Sequence, residues 1–259
     1  MISLKDRITL VTGASAGIGG ACAAAFAAAG SHLILAARRR ERLDDLAERL
    51  GAEHGVRVVT LELDVRDRDA VNAAVEGLTG DWREIDILVN NAGLSRALDG
   101  VQDGDATDWN EMIDTNVKGL LWVSRAVLPG MVARDRGHVI NIGSVSGRQV
   151  YGGGGVYCAT KFAVRALTQG LRIDLLGTRV RCSTVDPGMV ETEFSEVRFH
   201  GDATRAAQVY QAFPPLKPED VAEAVLFCAT RPPHVAIQEI LIMPQDQAAV
   251  YASHPRGVS

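Results

Sequence analysis

A doubly wound α/β domain, with seven parallel strands and helices on both faces, is the fold this chain predicts. Three observations point there. Apolar, β-branched runs alternate with helical patterns along the whole chain, with no linker between them. Every connection is long enough for a right-handed crossover, so the sheet should be parallel. The composition, 47% hydrophobic but only 5% aromatic, suits a Val, Ile and Leu sheet covered by Ala-rich helices. At 259 residues, 1–259 fits one large domain.

The first strand, 7–12, runs through Gly13-Ala14-Ser15-Ala16-Gly17-Ile18-Gly19 into an alanine-rich helix over 18–29. Alanine is the best helix former. Strand, glycine turn and helix N-terminus together present free backbone N–H groups to a pyrophosphate. Glycines also close turns that hold nothing, but this position between strand and helix favours a nucleotide. Strand 31–37 ends in Arg38-Arg39-Arg40-Glu41-Arg42, and an amphipathic helix follows over 39–53. An acid at that strand end binds a ribose 2′-hydroxyl, whereas an arginine accommodates a 2′-phosphate. Arg38 and Arg39 therefore point to NADP(H), and Arg40 and Arg42 read as the solvated start of the helix.

Strands at 56–63, 85–90, 137–143, 178–186 and 236–243, and helices at 67–79, 107–134, 155–176 and 217–230, complete a Rossmann alternation. Segment 188–216 breaks the texture, with mixed polarity, scattered aromatics and Pro214-Pro215. An insertion at the carboxyl edge of the sheet reads as a substrate lid, the alternative being a static flap.

The chemistry is concentrated in Ser144, Tyr157 and Lys161. A phenol of pKa about 10 is a poor acid or base at neutral pH, and a neighbouring ammonium favours its phenolate. Spaced four apart on a helix, Tyr157 and Lys161 share one face. A serine hydroxyl nearby can hold a carbonyl or alcohol oxygen in line with the phenol. Such a site interconverts an alcohol and a ketone and needs a hydride carrier.

Other features exclude or add little. The net charge of −5 and pI near 5.7 argue against a nucleic-acid partner. Cys22, Cys158, Cys182 and Cys228 lack paired spacing and read as reduced thiols. Cys158, beside Tyr157, reads as packing. No apolar run approaches transmembrane length and no signal-peptide pattern is present, so a cytoplasmic protein with no membrane partner is expected. The six histidines show no metal-ligand spacing, and no metal is expected.

Thr12-Gly13-(three residues)-Gly17-Ile18-Gly19, Leu63-Asp64-Val65, Asn90-Asn91-Ala92-Gly93, Thr115-Asn116, Ser144, Tyr157-(three residues)-Lys161 and Pro187-Gly188 follow one another in an order that resembles the short-chain dehydrogenase/reductase family. The resemblance spans nearly the whole chain and implies roles. Tyr157 would be the general acid or base. Lys161 would lower its pKa and bond the nicotinamide ribose, and Ser144 would orient the substrate oxygen. Asn116 would hold a helix kink and a water of a proton relay, or be a core amide. Gly13, Ser15, Gly17, Ile18 and Gly19 would meet the pyrophosphate side. Asp64, with Val65, would accept from the adenine amino group, or Asp64 would cap a helix. Asn90 would contact the cofactor or tie strands together, and Asn91, Ala92 and Gly93 would pass the ribose along. Pro187, Gly188 and Val190 would line the nicotinamide, with Thr192 on its carboxamide.

A narrower resemblance, carried by Trp82–Leu94, Met112–Asn116, Arg125–Met131 and Thr192–Asp202, is to NADP-dependent 3-hydroxy acid dehydrogenases. It implies serine, allo-threonine or malonic semialdehyde chemistry. The alternatives are a ketone or 3-oxoacyl reductase, or a non-catalytic NADP-sensing protein, against which the intact Asn116, Ser144, Tyr157 and Lys161 set speaks. The loop Gly147–Gly155, with Tyr151, departs from that group, which leaves the substrate open. A 3-hydroxy acid needs a cation for its carboxylate: Arg148, Arg198 and Arg96 are the candidates, each equally readable as a surface residue. Broad apolar stripes on 107–134 and 155–176 suggest a homotetramer, since family members pair through these helices. The polar tail from Gln245 reaches a neighbouring subunit or frays.

Overall fold

The structure, a computed structural model, describes residues 2–255. Strands β1 (Ile8–Thr12), β2 (His32–Ala37), β3 (Val58–Glu62), β4 (Ile87–Asn90), β5 (Gly137–Ile142), β6 (Val180–Pro187) and β7 (Glu239–Ile242) make one sheet in the order β3-β2-β1-β4-β5-β6-β7. Every pairing in it is parallel. The winding reverses between β1 and β4, and a crevice opens there at the carboxyl ends of the strands.

Alternation along the strands feeds two cores, because successive side chains point to opposite faces. Val11, Leu33, Leu35 and Val89 join Cys22 and Phe26 of α1 (Gly17–Ala28), Leu43 of α2 (Arg40–His54) and Val221 of α9 (Pro218–Ala229). Leu10, Ile34, Leu88 and Val139 join Val71 of α3 (Arg68–Glu76), and Val123 and Met131 of α5 (Leu120–Ala133), on the other face. The seven expected strands and their parallel pairing are thus present, with ends shifted by a few residues.

Two elements differ from expectation. The helix expected over 107–134 is three segments: α4 (Ala106–Ile113), a π-helical turn (Asp114–Gly119) and α5. A π turn keeps helical backbone angles, so the apolar pattern runs through it unbroken. In the polar tail, Gln247–Ala249 and Ala252–Ser253 pair as a small antiparallel hairpin; residues 256–259 of that tail lie outside the described residues.

After β6 the chain leaves the sheet for α7 (Phe194–Arg198) and α8 (Ala203–Gln208), with α6 (Gly155–Asp174) beneath. Val190 bridges Leu216, so the two ends of the 188–216 segment meet. Its helices sit above the crevice from a narrow base.

Candidate active site

The crevice is lined by the glycine turn, the end of β2, the loops after β3, β4, β5 and β6, and α7. Gly13 has φ +65°, a left-handed conformation that disfavours side chains. A Cβ at Gly19 would collide with the Gly13 carbonyl. Asn91 braces the turn by donating from Nδ2 to the Thr12 carbonyl at 2.9 Å and the Gly13 carbonyl at 3.2 Å. Asn90 instead donates to Ser124 and Asn141, both at 2.9 Å, and ties β4 to β5 and α5: its role is structural.

Gly13, Ser15, Gly17, Ile18, Arg38, Arg39, Asp64, Val65, Asn91, Ala92, Gly93, Pro187, Gly188, Val190 and Thr192 all line this one crevice, together with Ser144, Tyr157 and Lys161. Gly19 stands behind it as the packing glycine of the turn. Asp64 is not a helix cap, because Asp67 takes that place on α3. Burial pushes the Asp64 carboxyl up, but hydrogen bonds from Arg66 outweigh it and hold the group below its usual range.

Arg39 donates from Nε to Ser15 at 3.1 Å and from Nη1 to Glu193 at 2.7 Å. Arg42, expected in solvent, reaches the same carboxylate at 2.6 Å. An anion therefore already sits in the arginine and serine cradle at the end of β2. Backbone N–H groups at a helix start and an arginine fork that holds an anion fit a dinucleotide bearing a 2′-phosphate.

Tyr157 and Lys161 are buried on α6, and Ser144 is buried just after β5. Lys161 donates to the Ile142 carbonyl at 3.0 Å, with its Nζ 5.9 Å from the Tyr157 ring centre. Burial pushes the phenol up, with a further push from Tyr151; the Arg198 charge and the Ser144 hydroxyl oppose it. Burial also brings Lys161 down to about 8, against the pull of Asp186. An amine of that value is still mostly an ammonium at neutral pH. Asn116 lies in the π turn, where it donates to the Leu94 carbonyl (2.8 Å) and Thr160 (3.0 Å) and accepts from Leu94 N (2.8 Å). The amide thus pins the post-β4 loop to α6 behind Lys161.

The three arginines separate. Arg148 is turned away from the crevice: it donates to Asp186 at 2.7 Å and to Glu239 at 2.6 Å. With both carboxylates bound, its guanidinium is committed inside the protein, which corrects its assignment to substrate. Arg96 is committed to Glu111 at 2.7 Å and to the Val197 carbonyl. Arg198 has no carboxylate partner among the described residues. Its Cζ lies 5.7 Å from the Tyr157 ring and 5.1 Å from the Phe194 ring, its Nη2 donates to the Tyr151 hydroxyl at 3.3 Å, and its buried Nε has no partner among the described residues. Tyr151 packs against Tyr157 and anchors this arginine; neither Tyr151 nor Arg198 is among the residues that line the crevice, and Arg198 stands behind Phe194 and Val197, which do.

Residues 7–203 match the family described as short chain dehydrogenase. The chain belongs to that family. Over 242 residues it is 49% identical to the NADP-dependent 3-hydroxy acid dehydrogenase of Salmonella typhi, covering 93% of this chain and 96% of the relative. It is 48% identical over 242 residues to sulfoacetaldehyde reductase 2 of Chromohalobacter salexigens, covering 93% and 95%. Among solved structures, the closed form of serine dehydrogenase complexed with NADP+ superposes with a TM-score of 0.90 at 45% identity, covering 98% of both chains.

In this short-chain dehydrogenase, sequence reasoning missed Glu193 at the arginine pair and Asp186 beside Lys161. No local spacing signals either, because their partners lie on distant segments. Among the described residues no helix is long and apolar enough to cross a membrane, and no cluster of His, Cys, Asp or Glu suits a metal.

Proposed function

We propose that this short-chain dehydrogenase uses NADP(H) to interconvert the alcohol and carbonyl forms of a short 3-hydroxy acid of the serine, allo-threonine or 3-hydroxypropionate type. One observation carries the acid: Arg198 is a partly buried guanidinium with a free donor, stacked on Tyr157 and without a carboxylate of its own. A desolvated cation beside the proton-transfer group suits an anionic substrate. The relatives named for 3-hydroxy acids and serine support the same class.

The nicotinamide, when bound, accepts or donates the hydride. Gly13, Ser15, Gly17, Ile18, Arg38, Arg39, Asp64, Val65, Asn91, Ala92 and Gly93 would hold its nucleotide portion. Pro187, Gly188, Val190 and Thr192 would border its ring. Tyr157 takes the hydroxyl proton in oxidation and returns it to the carbonyl oxygen in reduction. Ser144 bonds the same oxygen and fixes its direction. Lys161 sets the field that makes a buried phenolate accessible, and Asn116 keeps the loop and helix around Lys161 in place. The 188–216 segment serves as lid, bringing Arg198 and Phe194 over Tyr157.

The sulfoacetaldehyde reductase relative favours a second reading, in which Arg198 receives a sulfonate. A homotetramer accompanies either reading, supported by Phe162, Ile173 and Val132 exposed on α6 and α5. A cytoplasmic setting fits four unpaired, buried cysteines. The test is purified protein with NADP+ and a panel of serine, allo-threonine, 3-hydroxypropionate and neutral alcohols of equal length, followed by NADPH absorbance, with sulfoacetaldehyde and NADPH in reverse. Preference for the acids is expected; turnover confined to neutral alcohols overturns the reading.

A further inference from the structure

Behind Lys161 lies a charged arrangement that the proton transfer does not touch. Asp186, on β6, is almost wholly buried. A methyl group at Gly143 would collide with its Oδ1, so the carboxylate lies against the backbone immediately after Ile142, the residue whose carbonyl receives Lys161. Arg148 grips Asp186 Oδ2 through Nε at 3.0 Å and Nη2 at 2.7 Å. Arg148 is gripped in turn by Glu239 of β7, which Arg165 and Arg172 of α6 also hold.

A buried carboxylate is costly unless it meets a cation and hydrogen bonds. Arg148 supplies both on the side away from the crevice. The side toward the crevice faces Gly143 and the end of β5, whose Ile142 carbonyl receives Lys161. An ionisable phenol and a cation sit on the other flank, Tyr157 on α6 and Arg198 on α7, while Gly93 and Asn116 close the remaining side with no ionisable group.

We propose that Asp186 is a positioning residue for Lys161: a fixed counter-charge, locked by Arg148 behind Gly143, that keeps the buried lysine an ammonium aimed into the crevice. The electrostatics agree in sign. Asp186 opposes the fall that burial imposes on Lys161, and Lys161 opposes the rise that burial imposes on Asp186. This assignment rests on the proposed role of Lys161 beside Tyr157. It also gives Arg148 a purpose other than gripping substrate.

The chain has four lysines, which makes the test direct. Protein carrying ε-13C lysine is titrated by NMR, with the Lys161 resonance assigned by its loss in Lys161→Met. In Asp186→Asn, the charged-to-neutral ratio of Lys161 near pH 8 should fall about tenfold or more. The alkaline limb of kcat/KM should move to lower pH by the same amount, while activity near pH 6.5 stays within about threefold of the parent. Because Asp186→Asn takes one of the two carboxylates from Arg148, the double variant Asp186→Asn with Arg148→Gln is measured beside it, and thermal melting checks folding. The double variant should show the same lysine shift. A merely structural role would lower activity at every pH and leave the Lys161 titration in place; that result in either folded variant overturns the proposal. A lysine shift in protein that turns over no 3-hydroxy acid would sink the proposed function and leave the Asp186 assignment standing.

Discussion

Replacing Arg198 by glutamine removes the cation that the lid places against the Tyr157 ring while keeping a polar side chain of similar length. Two effects follow, and they separate. The lost contact to substrate is a hydrogen bond to a charged group, about 1.5–3 kcal/mol. At about 1.4 kcal/mol per factor of ten, that is about 10–150-fold in kcat/KM. The second effect is on the phenol: without the Arg198 charge Tyr157 is pushed further up, which slows acidic and neutral substrates alike. The quantity to measure is therefore the ratio of kcat/KM for 3-hydroxypropionate to that for 1-propanol, with NADP+ saturating. It should drop about 10–150-fold in Arg198→Gln. Arg198→Lys should recover part of it, since an ammonium keeps the charge but loses the fork. An unchanged ratio would refute the assignment of the acid group to Arg198, however slow the variant became.

Tyr157→Phe should lower kcat about 10²–10⁴-fold while NADPH fluorescence still reports tight binding, because the phenyl ring keeps its packing; parental turnover sinks the proton-transfer role. Arg39→Ala should raise the KM for NADP+ about 10–150-fold through loss of a charged phosphate contact and leave the KM for NAD+ unmoved. A parallel loss with both coenzymes would place Arg39 elsewhere. His138 lies on β5, wholly buried, and burial, then Arg181, pushes its imidazole well below the ordinary value. The unfolded chain takes up this proton below about pH 6.5 and the folded chain does not, so stability falls as pH falls, by up to about 1.4 kcal/mol per pH unit. Melting curves between about pH 7 and about pH 5 should be flatter in His138→Gln; identical slopes would show that another group dominates.

What was legible in the sequence was what chemistry or geometry fixes at short range. The Gly13–Gly19 turn, the Tyr157 and Lys161 pair and the β-branched strands each carry their signal within a few residues. Arg148 shows where that legibility ends. Its place after Ser144 put it in the right loop, but nothing local says which way a long side chain turns. Two carboxylates, 38 and 91 residues further along, decide it. Glu193 is hidden for the same reason, since its arginines are 154 and 151 residues away in the chain. The break in the 107–134 helix left no trace because the π turn interrupts the hydrogen bonding and not the apolar periodicity.

That turn between Asp114 and Gly119 ties the protein to a fixed residue count. An α-helix advances about 100° per residue. Deleting a single position there would close the i→i+5 turn into regular α-helix and leave Val123, Val127 and Met131 on their shared interior face, yet draw the Asn116 amide from Leu94. Point changes along α5 cost stability one side chain at a time, whereas a one-codon loss upstream would spare that packing and unseat the amide that pins the post-β4 loop to α6. Insertions and deletions should therefore be far rarer in this stretch than substitutions.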